Sequence, residues 1–402
     1  MSEFVVVVIN ALLFILFSVF VYLKRGLKNE ATFTALIWAI SSFFSILYLE
    51  SAACHIYLQH LTLLPFIWLF VCFLISFIPL YRTNSISTNV LICNISVLKI
   101  LIYIICITSF LPFVENLYYI LSGHLNFYQL VESKDLGTTV DPRQHLSWLS
   151  ARFASISLLT VLVVPPFLFS YLRSNKIKKW IVAGLITSFL NVFFLNVING
   201  NRNAIVQLTL YLIMNYLFFR KQYKTSVNKK ILLALGSIGA IIIIFITFVS
   251  IYRFTAVSYS KQASPLEFFY LYAGESYCNF SGYAWGLDGT LGGKGTFGTI
   301  LSSLGLEKAN TNIAFKIPLI LFYSSFGFLY LDYGVVIPII ILFVISLFFW
   351  KKKKNIKFSK YLLLNAWWFF IINSMWYNPY ANFWNSLWML LLIVVILKIN
   401  KC

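Results

Sequence analysis

The chain has 402 residues and a formal charge of +19; 60% of it is hydrophobic, 19% aromatic and only 11% charged, with a mean hydropathy of +0.85. A soluble domain is about half apolar and about a quarter charged, so this balance excludes an ordinary soluble globular protein. Apolar runs of about 18 residues or more recur along the chain, which predicts an all-α polytopic membrane protein and makes membrane lipid, not nucleic acid, the partner of the positive charge.

In chain order, spans are predicted at roughly 4–23, 31–50, 62–80, 90–111, 150–172, 180–198, 204–219, 231–252, 330–350, 361–376 and 383–398, eleven in all. The first, "FVVVVINALLFILFSVFVYL", is too long for a signal-peptide core and lacks a basic flank before it, so it is read as a retained span. Alternate connections are basic: "KRGLK", "YR", "RSNKIKK", "RKQYKTSVNKK", "KKKKNIKFSK" and the tail "KINK". They hold most of the lysines and arginines, which predicts a cytoplasmic C-terminus and an N-terminus outside. Attraction to anionic lipid accounts for the lysine runs.

Two long connections fall on the outer side, 112–149 and 253–329, within a single integral membrane domain spanning 1–402. Loops of that length usually carry function, which points to work at the outer face. The run 317–350, "IPLILFYSSFGFLYLDYGVVIPIIILFVISLFFW", is too long for one straight span. As a helix it would reach about 50 Å against a core of roughly 30 Å. One reading breaks it near "LDYG", with an interfacial or re-entrant first part and a spanning helix entered at Asp332. The other is one tilted, kinked helix. No internal repeat is visible.

The six cysteines form no CxxC and no cluster with histidine. Cys54 and Cys278 fall on the same predicted side, so a disulfide between them is one option. Walker A, GxSxG, HExxH and DxD patterns are all missing, and no His/Cys/Asp set has metal spacing. The expectation is a site without metal or cofactor.

What remains is outward arginine and carboxylate. Arg202, in "NGNRNAIVQL", sits where a helix is predicted to begin at the outer surface, with Gly200 for a tight turn and Asn201 or Asn203 as cap. Free N–H groups and the dipole favour an anion there, and a guanidinium can grip phosphate with paired bonds. Arg253, in "SIYRF", is a second such candidate. The alternative for both is an arginine snorkelling to lipid headgroups. Glu275, among the aromatics of "LYAGESYCNF", is a candidate base, since an apolar setting raises a carboxyl's pKa. Asp332 is a second candidate carboxylate or simply a helix N-cap. Arg143 and His145, in "DPRQHLSW", and Tyr333 are weaker candidates. Lys99, predicted inside a span, is read as snorkelling or paired.

These segments resemble the bacterial oligosaccharide repeat-unit polymerases, the O-antigen and capsule (Wzy-type) family. "NGNRNAIVQL" is similar to that family's G-x-R segment, and "FVSIYRF…SPLEFFYLYAGESYCNF" to the stretch leading into its large outer loop. "GTFGTILSSLGLE…NTNIAF" and "LYLDYGVVIPII" resemble the loop's end, with its Y-x-D-[FY]-G pattern. The likeness covers roughly 190–350. Asn203 stands where the family often has a second glycine, and "NTNIAF" lacks the usual threonine.

The resemblance implies a fold akin to lipid-diphosphate-dependent, GT-C-like glycosyltransferases. It implies polysaccharide or lipopolysaccharide biosynthesis at the outer face of the bacterial inner membrane. There a growing glycan moves from undecaprenyl diphosphate to a new lipid-linked repeat unit, with a flippase and a chain-length regulator as partners. Arg202 and Arg253 would hold the diphosphate, and Glu275 or Asp332 would act as base or acceptor positioner. The readings set against it are an O-antigen ligase, a lipid-linked oligosaccharide flippase or other transporter, and a membrane acyltransferase.

Overall fold

Without water to pair them, backbone N–H and C=O groups must be satisfied inside each segment, so a chain this apolar is driven into helices. A computed structural model describes residues 2–51, 54, 61–83, 89–91, 95–123, 141, 143–173, 177–256, 265–287, 290–293, 323–349 and 355–375. The elements are α1 (Glu3–Arg25), α2 (Glu30–Leu49), α3 (Leu63–Arg82), β1 (Asn89–Leu91), α4 (Ile95–Leu121), α5 (Trp148–Thr160), α6 (Val164–Tyr171), α7 (Lys179–Ile198), α8 (Arg202–Phe219) and α9 (Thr225–Ala256). They continue with α10 (Pro265–Asn279), a π-turn (Phe280–Ala284), α11 (Ser324–Tyr333), α12 (Val336–Phe348), β2 (Asn355–Lys357) and α13 (Phe358–Asn373).

Among the described residues, α1, α2, α3, α7 and most of α4 are long and apolar enough to cross a membrane. The predicted span 150–172 is α5 and α6, bent by 74° at a break that precedes Pro165 and Pro166, and it makes a sixth if counted whole. The chain is therefore a membrane-embedded, all-α protein. The predicted span 383–398 lies outside the described residues. Lys99 is the first residue of the spanning part of α4 and is exposed.

The chain divides into two units: residues 1–88, 262–354 and 366–391 form the first, and 89–261, 355–365 and 392–402 the second. In the first, the core is aromatic. Phe14 of α1 stacks on Trp38 of α2 at 5.5 Å, Trp38 meets Phe73 of α3 at 4.7 Å, and Tyr277 of α10 closes on Phe14 at 5.6 Å. All four side chains are essentially excluded from solvent. Burying such rings contributes about 1.5–3 kcal/mol each where the surroundings are apolar in the folded state and wet otherwise.

Halfway along α2, two helix ends meet. The Trp38 Nε1 donates to the carbonyl of Ile371 at 3.0 Å in the last turn of α13, and its ring faces Phe326 of α11 at 5.7 Å. The Ser325 N–H, at the start of α11, donates to the Ser374 carbonyl at 2.7 Å, just past the end of α13. Each end thus supplies what the other lacks, an N–H for a carbonyl. From there α11 runs ten residues to Gly334, and α12 turns back along α3, with Ser346 Oγ donating to the Ile75 carbonyl at 2.7 Å.

The predicted break near "LDYG" is present, but one turn later than the expected entry at Asp332. Asp332 lies in the last turn of α11, and α12 starts at Val336, so Asp332 is not an N-cap. The reason is Gly334. At φ 75° and ψ −160° it occupies a region open essentially to glycine alone, and its N–H closes the helix on the Tyr330 carbonyl at 2.7 Å. A Gly334→Ala protein is expected to lose about 1–3 kcal/mol, read as a lower melting temperature in detergent. Gly236→Ala, in α9 with open space where its Cβ would go, should be neutral or stabilising by about 0.5–1 kcal/mol.

In the second unit, small and polar residues let helices approach. Gly184 of α7 seats directly against Cys106 of α4. Beside it Ser109 Oγ donates to the Gly184 carbonyl at 3.1 Å, and Asn191 Nδ2 donates to the Ser109 carbonyl at 2.8 Å. This is how helices associate where lipid removes the hydrophobic advantage of contact. Strands β1 and β2 pair in parallel, Asn89 opposite Asn355 and Leu91 opposite Lys357. The pairing explains why "NIK", part of a lysine-rich connection, is extended.

Candidate functional site

The first unit carries Glu275, Asp332 and Tyr333, and the second Arg143, His145, Arg202 and Arg253. Each group is built by its own unit.

Glu275 sits on α10, fifteen residues long and not among the helices long enough to span. The helix lies against α2 because Gly274 lets the backbones touch. A Cβ on Gly274 would overlap the backbone of Phe44 and Ser45. Two side-chain bonds lock the contact. Ser41 Oγ donates to the Ala273 carbonyl, and the Tyr277 hydroxyl donates to the Trp38 carbonyl at 3.3 Å. Between these anchors the Glu275 side chain is 4% exposed. Asn279, one helical turn on, donates from Nδ2 to Oε2 at 3.2 Å. Burial pushes the carboxyl up to about 8, and the Asn279 amide pulls in the opposite direction. The upward direction is caused by desolvation.

Asp332 is fully buried at the end of α11. Its carbonyl accepts from the Gly292 N–H at 3.0 Å, and the Leu331 carbonyl accepts from the Leu291 N–H at 2.8 Å. The turn 290–293 is thereby tied to the end of the helix. Gly293 takes φ 88°, where a Cβ would strike the Tyr333 hydroxyl. One turn earlier, Tyr330 stacks on Trp285 at 4.9 Å and accepts from the Gly286 N–H at 3.0 Å. Trp68 and Phe280 complete this aromatic nest, Trp68 donating from Nε1 to the Val335 carbonyl at 2.9 Å. The "LDYG" segment is thus a rigid corner, and Trp285 is its half-buried rim.

In the second unit Arg202 is the first residue of α8. Gly200 takes φ 57°, and the Asn201 side chain accepts from the Ala204 N–H at 3.4 Å, so the expected turn and cap are both present. Asn203 instead accepts from Gln207 Nε2 at 3.1 Å. The Arg202 side chain lies outside the described residues, as does that of Arg253, whose backbone belongs to α9.

Arg143 and His145 are clipped to structural partners. Arg143 donates through Nε and Nη2 to the two oxygens of Asp141, at 2.9 and 2.8 Å, and through Nη1 to Ser155 Oγ at 2.7 Å. The guanidinium holds the Asp141 carboxyl below the usual carboxylate range, mainly through these hydrogen bonds. His145 Nε2 pairs with Asn116 Oδ1 at 2.8 Å, and the ring lies 4.2 Å from that of Tyr119. Glu115 of α4 accepts from the Ser147 N–H at 2.8 Å and from its Oγ at 2.7 Å. A carboxylate there faces the positive end of α5. These bonds fasten the start of α5 to α4.

Cys54 and Cys278 are not joined, so the disulfide considered between them is not formed. Cys278 is buried, with Sγ 3.9 Å from the Ser45 carbonyl, and packs as part of the α2–α10 contact. No group of three or more His, Cys, Asp or Glu among the described residues has the arrangement of a metal site.

Three residues of this site escaped the sequence reading: Gly274, Asn279 and Trp285. Gly274 and Asn279 had a usable signal, a glycine beside the buried acid and an amide at i+4 from it. Compared with family models, curated proteins and solved structures, the chain matches none.

Proposed function

We propose that this protein is a repeat-unit polymerase of the O-antigen or capsule type. In this reading it has eleven spans, its N-terminus outside, its C-terminus in the cytoplasm, and its active face on the outer side of the bacterial inner membrane. The observation that carries the reading is Glu275: a carboxyl buried at 4% exposure, on a helix fixed to the core by Gly274, Ser41 and Tyr277. A general base works best with a pKa near the operating pH.

The acceptor hydroxyl gives its proton to Glu275 as its oxygen bonds to the anomeric carbon. The bond from that carbon to the diphosphate oxygen breaks, and the electron pair leaves on the lipid diphosphate. Arg202 and Arg253 stabilise that charge, and Asp332 positions the acceptor. No metal or nucleotide sugar is required, because the diphosphate linkage stores the energy.

A second reading, a lipid-linked oligosaccharide flippase, is favoured by the helix ends that meet halfway along α2. Discontinuous helices are a mark of transporters. Deleting the gene and complementing with plasmid copies separates the readings on a gel of surface polysaccharide. For a polymerase, deletion removes the ladder and leaves a single repeat unit, and Arg202→Ala fails to restore the ladder. For a flippase, the single unit disappears too. For a ligase, polymer remains on its lipid carrier and is absent from the lipid core. An Arg202→Ala copy that restores a normal ladder would sink the diphosphate role.

A further inference from the structure

The Glu275 carboxyl is held from one side. Asn279 Nδ2 donates to Oε2, and among the described residues Oε1 accepts no hydrogen bond. Both side chains are buried, at 4% and 0% exposure, so water cannot freely substitute for a missing donor. The spacing is one turn of α-helix, which brings residues i and i+4 together. The π-turn begins at the next residue, where the Trp285 N–H reaches back five residues to the Phe280 carbonyl at 2.9 Å. Asn279 is therefore the last residue of α10 before the helix widens. Widened turns of this kind recur at functional sites.

We infer that Asn279 is a positioning residue for the proposed reaction: it fixes the Glu275 carboxyl by Oε2 and leaves Oε1 as the atom that receives the acceptor proton. This rests on the polymerase reading. A carboxyl on a helix can turn about its own side-chain bonds, and an amide on one oxygen selects one orientation. It also favours the ionised form, because an N–H bond to a carboxylate is stronger than one to the acid. After the transfer the proton passes from Oε1 to water, and the carboxylate is restored.

The test uses the full-length protein in detergent and in membranes. Infrared difference spectra follow ionisation of the Glu275 carboxyl without substrate, with Glu275→Gln identifying the band. Polymerisation of a lipid-diphosphate-linked repeat unit is followed against pH in parallel. Asn279→Leu removes the donor at similar volume; Asn279→Ala serves where Leu is not accommodated. The expected result is a midpoint moved up by about one to two pH units in both measurements. At neutral pH kcat falls about tenfold or more with KM little changed, and Asn279→Gln recovers part of the rate. An unchanged infrared midpoint overturns the assignment, as does a moved midpoint with an unmoved rate profile. A wild-type protein that makes no polymer overturns the polymerase reading instead. The spectra, taken without substrate, still decide the Asn279–Glu275 coupling.

Discussion

Glu275→Gln is expected to lower glycan polymerisation by about 10²–10⁴-fold, the span removed with a general base, while the protein still extracts from the membrane and folds. The substitution keeps the shape of the side chain and an oxygen for the Asn279 amide to bind. It removes only the ability to take a proton. Because desolvation pushes the carboxyl up to about 8, the wild-type rate should also climb as pH rises through that value. The sign follows from the role: the base works as the anion, and the anion dominates above the pKa. Stability moves the other way. A carboxyl raised above its unfolded value of about 4.3 opposes folding increasingly as pH climbs from there toward the folded value, so Glu275→Gln should be stabilising at alkaline pH. A rate profile flat across pH 7–9, or near-normal polymer from the Gln variant, would rule out this base.

The second large effect concerns Gly274. Gly274→Val should separate α10 from α2 and destabilise the protein by about 3 kcal/mol or more, beyond the usual range for overpacking. The obstruction is backbone, the carbonyl of Phe44 and the nitrogen of Ser45, and backbone within a helix cannot swing aside. The same displacement breaks the Ser41–Ala273 and Tyr277–Trp38 bonds and opens the site around Glu275. Gly239→Ala in α9, with open space around it, should leave the stability within about 0.5–1 kcal/mol of wild type. Thermal unfolding of the purified variants by tryptophan fluorescence measures both. Equal melting curves for Gly274→Val and wild type would mean that the two helices do not touch at this point.

The membrane class was legible because composition alone forces it. Most helix positions followed from apolar run length, and the helix start at Arg202 followed from Gly200 and Asn201. The bend between α5 and α6 was missed because a run from 150 to 172 has the length of one span, and hydropathy is blind to direction. The helix starting at Pro265 was missed because "PLEFFYLYAGESYCN" is polar enough to read as loop. It is a helix because α2 covers it, and pairwise packing leaves no mark in one segment's composition. The position of the "LDYG" break was off by one turn for a local reason. Asp before an apolar run suggests a cap, but the glycine two residues later decides where the helix ends. Arg143 stood as a weaker candidate ligand beside the reading of a solvated loop face; its grip on Asp141, two residues before it, was not legible because sequence does not say whether neighbours pair.

The end-to-end meeting of α11 and α13 has a consequence for biogenesis. Ten residues of helix extend about 15 Å, half of a bilayer core of about 30 Å, so α11 is too short to be released into lipid alone. It must enter as a hairpin with α12, against α2 and α3, which are synthesised first. The N–H of Ser325, buried in the finished structure, meets the Ser374 carbonyl only after nearly fifty further residues have been made. Until then the hairpin stands with an open polar end. Release from the insertion machinery and completion of this contact are therefore separate events, and the end of α13 acts as the latch.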